Sequence, residues 1–150
     1  MAIRQLRLED DPILRKKCKE VKVIDDKIKD LLNDMMDTLH STPNGAALAA
    51  PQIGILKQLV VVDMDGCVLK MVNPKITVSE GTQDCIEGCL SFPNRFGKTI
   101  RPEKVTVEYL DENGNLHTLT GEKDLAKCFC HELDHLNGEV FIDKVTEFLS

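Results

Sequence analysis

The sequence lacks three features that would assign it to large functional classes. No stretch approaches the roughly 18 consecutive apolar residues of a membrane-spanning helix, so we expect no membrane segment. Lys and Arg form no long basic stripe, and 19 of them are outnumbered by 25 Asp and Glu, for a net charge of -6. This balance argues against nucleic-acid binding through broad electrostatics. Residues 1–5 lack the apolar core of a signal peptide, which predicts a cytoplasmic protein.

Length and composition predict one ordinary domain. The 150 residues are 42% hydrophobic, which is enough apolar material for a core, so we expect a single domain over 1–150. We also expect a monomer. There are six cysteines. In a reducing cytoplasm thiols more often serve as metal ligands or core residues than as disulfides, and we expect no disulfides.

The apolar pattern predicts a mixture of helices and hairpins. After Asp25 or Asp26 as N-cap, helical spacing predicts an amphipathic helix that ends before Pro43, with its apolar face made by Ile28, Leu31, Leu32, Met35, Met36 and Leu39. A second helix is expected over 122–136, with Gly138 as its C-terminal stop. Residues 4–14 read as a strand or arm, and residues 140–142 as a short strand.

Two β-hairpins are predicted between these helices. Residues 58–63 and 66–72 flank an Asp-Gly turn, and 75–79 continues the strand pattern. Residues 104–110 and 115–120 alternate about the turn Asn113-Gly114. The expected fold is therefore α+β, with antiparallel hairpins packed around the second helix.

The strongest signal lies in that second helix, His131-Glu132-Leu133-Asp134-His135. Residues four apart share one helix face, so both imidazoles can bind a single metal ion. Glu132 projects to the side, where its carboxylate can act as general base toward a water at the ion. The pattern predicts a metallohydrolase.

A catalytic metal site usually has three protein ligands, so a third must be found. In one protease class the motif continues to a third histidine, but that position is Phe141 here. Glu139 and Glu147 lie too close behind the motif to serve as a distant downstream ligand. The search therefore turns upstream, where Cys89 stands in the glycine-containing segment 87–91, predicted to be a loop.

Other cysteines compete with Cys89 on residue type alone. Cys85 and Cys130 are candidates, and Cys128 is the sharpest because it lies three residues before His131 on the same helical face. A site of Cys128, His131, His135 and a fourth ligand would be structural zinc. The residues alone leave this alternative open.

A third segment, 44–54, is a run of small residues in which a loop could let backbone approach a ligand closely. The segments 45–52, 87–91 and 131–135 resemble, in order and spacing, the three motifs of peptide deformylases. The start Asp11-Pro12-Ile13-Leu14-Arg15 and the extension Leu136-Asn137-Gly138 are also similar to that family, so the likeness covers nearly the whole chain.

The resemblance implies a role for each motif residue. Cys89, His131 and His135 would be the metal ligands and Glu132 the catalytic acid and base. Gln52 and the backbone N–H of Leu90 would form the oxyanion hole. The substrate would be bound by Gly45, Ala46, Ala47 and Cys128, with Cys128 near its methionine side chain.

The implied reaction is metal-dependent hydrolysis of the N-formyl group from N-formylmethionyl ends of new proteins, releasing formate. One divalent ion is expected, Fe(II) by family resemblance, with Zn(II) or Ni(II) able to substitute. The partner would be a nascent chain near the ribosome.

Two departures from the family pattern keep alternatives open. Ala47 stands where glycine is usual, so its methyl could narrow the substrate site or restrict φ and ψ, and Cys130 stands where glutamine is usual. These changes motivate one alternative, a diverged metallohydrolase with an altered substrate. A non-enzymatic, zinc-stabilised or thiol-sensing protein built on the six cysteines is the other.

Overall fold

The computed structural model describes residues 2–149, and in this part of the chain two α-helices accompany two antiparallel sheets. The α+β prediction is confirmed. The helices are α1 (Asp26–His40) and α2 (Asp124–Leu136). The strands are β1 (Ala47–Ala49), β2 (Leu59–Met64), β3 (Cys67–Glu80), β4 (Gln83–Cys89), β5 (Phe92–Arg101), β6 (Lys104–Leu110), β7 (Leu116–Glu122) and β8 (Glu147–Phe148).

The larger sheet has the strand order β1-β2-β3-β6-β7 and contains both predicted hairpins. Strands β2 and β3 turn at Asp65 and Gly66, whose φ angles of 51° and 84° need the left-handed region. Strands β6 and β7 turn around Gly114, with φ of 82°. The hairpin predictions are thus confirmed, and β3 continues through the predicted segment 75–79.

The two helices lie on opposite faces of this sheet, as the alternating side chains of β2 show. Leu59 and Val61 pack in one core cluster with residues of α1 such as Leu32. Val60 and Val62 pack in a second cluster with residues of α2 such as Phe129. Asp25 caps α1, since its side chain accepts a hydrogen bond from the N–H of Ile28.

The smaller sheet, of order β4-β5-β8, lies on the other side of α2 and was not predicted. Some of its buried positions carry polar residues, so the sequence does not show the apolar alternation expected of a strand. These buried polar residues are Glu87, Thr99 and Arg101. Side chains of this sheet bond to α2, through Glu87 to His131 and through Arg101 to Asp134. The motif helix is therefore held between both sheets.

Several local predictions were wrong. Residues 4–14 form no strand, which leaves the arm as the correct alternative, and Pro12–Arg15 is a 3-10 turn in which the side chain of Asp11 accepts a hydrogen bond from the N–H of Ile13. Residues 140–142 are not a strand either, because Phe141–Asp143 forms another 3-10 turn. Helix α2 begins at Asp124 rather than at 122, since β7 runs to Glu122. Gly138, with φ of 76°, follows the end of α2 as expected.

Candidate metal centre

Helix α2 and the end of strand β4 bring three metal-binding side chains together. His131 and His135 lie one turn apart on α2, with ring centroids separated by 5.1 Å. Cys89 is the last residue of β4, and its Sγ lies 3.5 Å from His135 Nε2. One ligand atom from each residue lies within 4.8 Å of the other two. The prediction of a loop over 87–91 is wrong for residues 87–89, which end β4 with a register shift between Gly88 and Cys89, whereas Leu90 and Ser91 form a turn.

The three donors fit a divalent transition metal. A thiolate and two imidazoles suit Zn or Fe, and three protein ligands leave a position for water or substrate. Within residues 2–149, this cluster of three does not include Cys85, Cys128 or Cys130. Cys128 instead packs in the core cluster of α2.

The pKa values of the two histidines are shifted in opposite directions. The pKa of His135 lies well below its usual value, because burial and the charges of His131 and Arg101 disfavour a proton. Burial also opposes a charge on His131, but its hydrogen bond to Cys89 and the carboxylates of Glu132 and Glu87 raise the pKa of this ring well above its usual value.

Glu132 lies beside the cluster in a buried position. Its Oε2 atom is 3.9 Å from His131 Nε2, and its Oε1 atom has no hydrogen-bond partner among residues 2–149. Burial, reinforced by the negative charges of Glu87 and Asp134, raises the pKa of Glu132 to about 7, although His131 opposes the shift. A carboxyl group with this pKa can both accept and return a proton near neutral pH.

A network of charged groups holds His131 from behind. Glu87 Oε1 lies 2.8 Å from His131 Nδ1. The same carboxylate accepts hydrogen bonds from Arg101 Nε at 2.6 Å, from Arg101 Nη2 at 2.9 Å and from Thr99 Oγ1. Burial opposes ionisation, but the hydrogen bonds from His131 and Arg101 hold the pKa of Glu87 well below its usual range. Glu87 therefore stays ionised in the interior.

The cluster opens into a cleft of about 710 Å³. Its lining includes the predicted residues Gly45, Ala46, Ala47, Gln52, Cys89, Leu90, Cys128, His131 and Glu132. His135 is not part of the lining and is fully buried behind it. The structure therefore brings every predicted site residue to the cleft wall or directly behind it.

Two of these residues lie on different backbone from that expected. Ala47 begins β1 and pairs with Val62, so the segment 47–49 is a strand at the edge of the larger sheet rather than a loop. The prediction that Ala47 lies in a loop is therefore wrong. Gln52 lies in the 3-10 turn Ala50–Ile53, which follows β1 directly.

The amide of Gln52 is fixed in a buried position. Its Oε1 accepts a hydrogen bond from the N–H of Ala49 at 3.0 Å. Its Nε2 donates to Ser91 Oγ at 3.2 Å and to Cys89 Sγ at 3.4 Å. The donor end of the side chain consequently points to the metal cluster.

Sequence reasoning gave no role to the groups behind His131, which are Glu87, Thr99, Arg101 and Asp134. Glu87 stood in a motif segment, but the strand that carries it was not recognised. Thr99 and Arg101 alternate with exposed neighbours on β5. That alternation is the one available signal, and polar residues obscure it at the inward positions.

Comparisons with known proteins decide the family. The polypeptide deformylase family matches residues 3–149. This chain belongs to the polypeptide deformylase family. It is 62% identical to peptide deformylase 2 of Clostridium acetobutylicum over 149 residues, which cover 99% of each chain.

Solved deformylase structures share the fold. The peptide deformylase of Thermotoga maritima superposes with a TM-score of 0.93 at 34% identity, covering 97% of this chain and 99% of that one. The deformylase of Synechococcus elongatus, in complex with actinonin, gives a TM-score of 0.92 at 42% identity, covering 96% and 79% of the two chains. This chain therefore has the deformylase fold.

Proposed function

We propose that Cys89, His131 and His135 hold one divalent metal ion in this deformylase, and that Glu132 transfers the protons of its reaction. As a member of its family the chain is a hydrolase that removes the formyl group from newly made peptides. The observation that carries the assignment of residues is the cluster of three donor atoms within 4.8 Å of one another, beside a buried carboxylate in a cleft.

Fe(II) is the ion we expect, with Zn(II) or Ni(II) as functional substitutes, since one thiolate and two imidazoles suit all three. A bound divalent ion supplies a Lewis acid that activates water and polarises the formyl carbonyl. To bind the ion, the Cys89 thiol and the His131 ring would each have to give up a proton, which would make the affinity dependent on pH.

Glu132 moves the proton through the reaction. Its carboxylate accepts a proton from the attacking water as the new C–O bond forms, and delivers it to the amide nitrogen as the C–N bond breaks. The products are formate and the free amino terminus. Within residues 2–149 the buried Oε1 atom of Glu132 has no hydrogen-bond partner, which supports its availability for this exchange.

The oxyanion would be stabilised by Gln52 and the backbone N–H of Leu90. Gln52 is supported for this role because two hydrogen bonds fix its amide before substrate arrives. A preorganised donor of this kind contributes about 3–4 kcal/mol to transition-state stabilisation in other enzymes.

The peptide would lie along the edge of the larger sheet. Strand β1 pairs with β2 on one side, and Gly45, Ala46 and Ala47 line the cleft. An extended peptide can add to such an edge through main-chain hydrogen bonds. Cys128, on the same cleft wall and within the core cluster, would contact the methionine side chain.

The remaining proposals concern setting. We place the enzyme in the cytoplasm as a monomer with one catalytic domain over 1–150, acting on N-formylmethionyl chains near the ribosome. No helix among residues 2–149 is long and apolar enough to span a bilayer.

Release of formate from formyl-Met-Ala-Ser tests the proposal. Protein purified without oxygen should release formate, lose activity with chelator, and regain it with Fe(II), Zn(II) or Ni(II). A diverged hydrolase with another substrate would bind metal without releasing formate. A zinc-stabilised thiol protein would show no turnover under any of these conditions.

A further inference from the structure

Arg101 occupies an unusual place for an arginine, with 4% of its side chain exposed. It lies at the end of β5 and bonds to two carboxylates on different elements. Nε and Nη2 donate to Glu87 on β4, while Nη1 donates to Asp134 on α2 at 2.8 Å. Its planar fork is thus divided between the smaller sheet and the motif helix.

Glu87 is saturated by its donors. Oε1 is shared by His131 Nδ1 and Arg101 Nη2, and Oε2 by Arg101 Nε and Thr99 Oγ1. A carboxylate with both oxygens engaged cannot turn away without losing several charge-assisted hydrogen bonds. Its bond to Nδ1 leaves Nε2 of the His131 ring for the metal cluster.

The second histidine has no comparable side-chain partner among residues 2–149. The Nδ1 atom of His135 is buried and has no hydrogen-bond partner among residues 2–149. Among the two histidines, only the ring of His131 is therefore oriented by a carboxylate behind it.

We infer that Arg101 is a positioning residue for the metal centre: by bridging Glu87 and Asp134 it locks Glu87 onto His131 and so orients that ligand. Asp134 is the anchor of this clamp on α2, one helix position before His135. Lys144 also contacts Asp134, at 3.3 Å, which leaves Arg101 and Lys144 as the cations that face it. The inference rests on the proposed metal ligands.

The clamp explains why an acidic residue stands within the motif helix. The hydrogen bond from Arg101 to Asp134 ties the guanidinium to α2. Arg101 therefore keeps Glu87 close to α2 and to His131. Removing Asp134 should loosen the clamp without leaving the Glu87 charge unpaired, whereas removing Arg101 leaves a buried carboxylate without its cation. Asp134→Asn is therefore the milder variant, and Arg101→Lys keeps a positive charge but loses the fork.

The test measures zinc affinity by chelator competition on the zinc-loaded protein. Glu87→Gln and Arg101→Lys should each weaken affinity by about 10- to 100-fold, as is usual for lost partners of a metal-bound histidine. Asp134→Asn should weaken it less. The double variant Glu87→Gln with Arg101→Lys should be no weaker than Glu87→Gln alone, because Arg101 acts through Glu87. Lys98→Gln, on the same strand but paired with exposed Glu147, is the control and should leave affinity unchanged.

A second measurement reads the clamp directly. The His131 Nδ1 proton should give a strongly hydrogen-bonded NMR signal in wild type, and this signal should shift in Arg101→Lys and in Asp134→Asn. If Arg101→Lys does not fold, Asp134→Asn decides. Unchanged zinc affinity and an unchanged His131 signal in a folded variant would overturn the inference. If the wild-type protein bound no zinc, the proposed metal site would be wrong instead. The NMR signal of His131 would then be the test of the clamp.

Discussion

Glu132 and His131 are neighbours in sequence whose side chains meet again at the metal cluster, with Glu132 Oε2 3.9 Å from His131 Nε2. The helix directs the imidazole to the cluster and the carboxylate to its side. The nitrogen that faces Glu132 is the one left open by the bond between Nδ1 and Glu87. The geometry therefore places a proton acceptor next to the atom proposed to bind the metal.

The identity of the third ligand can be tested by metal content. Cys89→Ala should lose bound metal after dialysis, because it removes one of the three donors. Cys128→Ala should keep one metal per chain, since Cys128 is a core and cleft residue. The opposite pattern would assign the cluster to structural zinc held by Cys128.

Gln52 should contribute to turnover rather than to metal binding. Gln52→Leu removes the fixed amide donor, so kcat should fall by about 100- to 1,000-fold, as for other oxyanion donors. Ser91→Ala removes one of the hydrogen bonds that fix Gln52 Nε2 but leaves the donor itself, so kcat should fall less than in Gln52→Leu. A kcat of Gln52→Leu close to the wild-type value would contradict the proposed role of Gln52.

Ala47→Gly should tighten a peptide hydroxamate several-fold and lower KM for formyl-Met peptides, with little change in kcat. Ala47 lines the cleft but is not one of the three proposed metal ligands. Loss of a strand side chain should also cost about 0.5–1 kcal/mol of stability.

Ala49→Gly is a matched control for that variant. Ala49 lies on the same strand and in the same core cluster, but it is not part of the cleft lining. It should show a similar stability loss with unchanged ligand affinity. Equal affinities of wild type and Ala47→Gly would show that the cleft already accommodates the methyl.

The turn after α2 should be sensitive to a single methyl. Gly138 has φ of 76°, and a Cβ there would lie 2.5 Å from the backbone oxygen of Arg15. Gly114→Ala is the control, with φ of 82° and nothing within 4 Å, so it pays only the left-handed cost of about 1–2 kcal/mol. Gly138→Ala should lower the free energy of unfolding by more than Gly114→Ala does. Each kcal/mol lost should lower Tm by about 2–4 °C. Equal Tm losses would contradict the close contact with Arg15.

Local sequence signals predicted the parts of the fold that depend on local chemistry. The turns at Gly66 and Gly114 and the end of α2 at Gly138 follow from backbone conformations that glycine adopts easily. The spacing of His131 and His135 follows from the helical repeat. These features need no knowledge of distant contacts.

The smaller sheet could not be predicted in that way. Strands β4 and β5 turn Glu87 and Arg101 inward, so their buried face reads as polar. Their burial is possible because Glu87 pairs with Arg101, and Arg101 pairs with Asp134 as well. The orientation of His131 depends on this long-range pair, and no periodicity in the sequence reports it.

The central claim, that Glu132 transfers protons at a metal centre it does not build, is tested by Glu132→Gln. The variant keeps the size of the side chain and removes the base. It should retain one metal per chain while formate release falls by about 100- to 10,000-fold. Glu139→Gln, an exposed neutralisation just beyond α2, should leave both unchanged. Deformylation near the wild-type rate by metal-loaded Glu132→Gln would contradict the account.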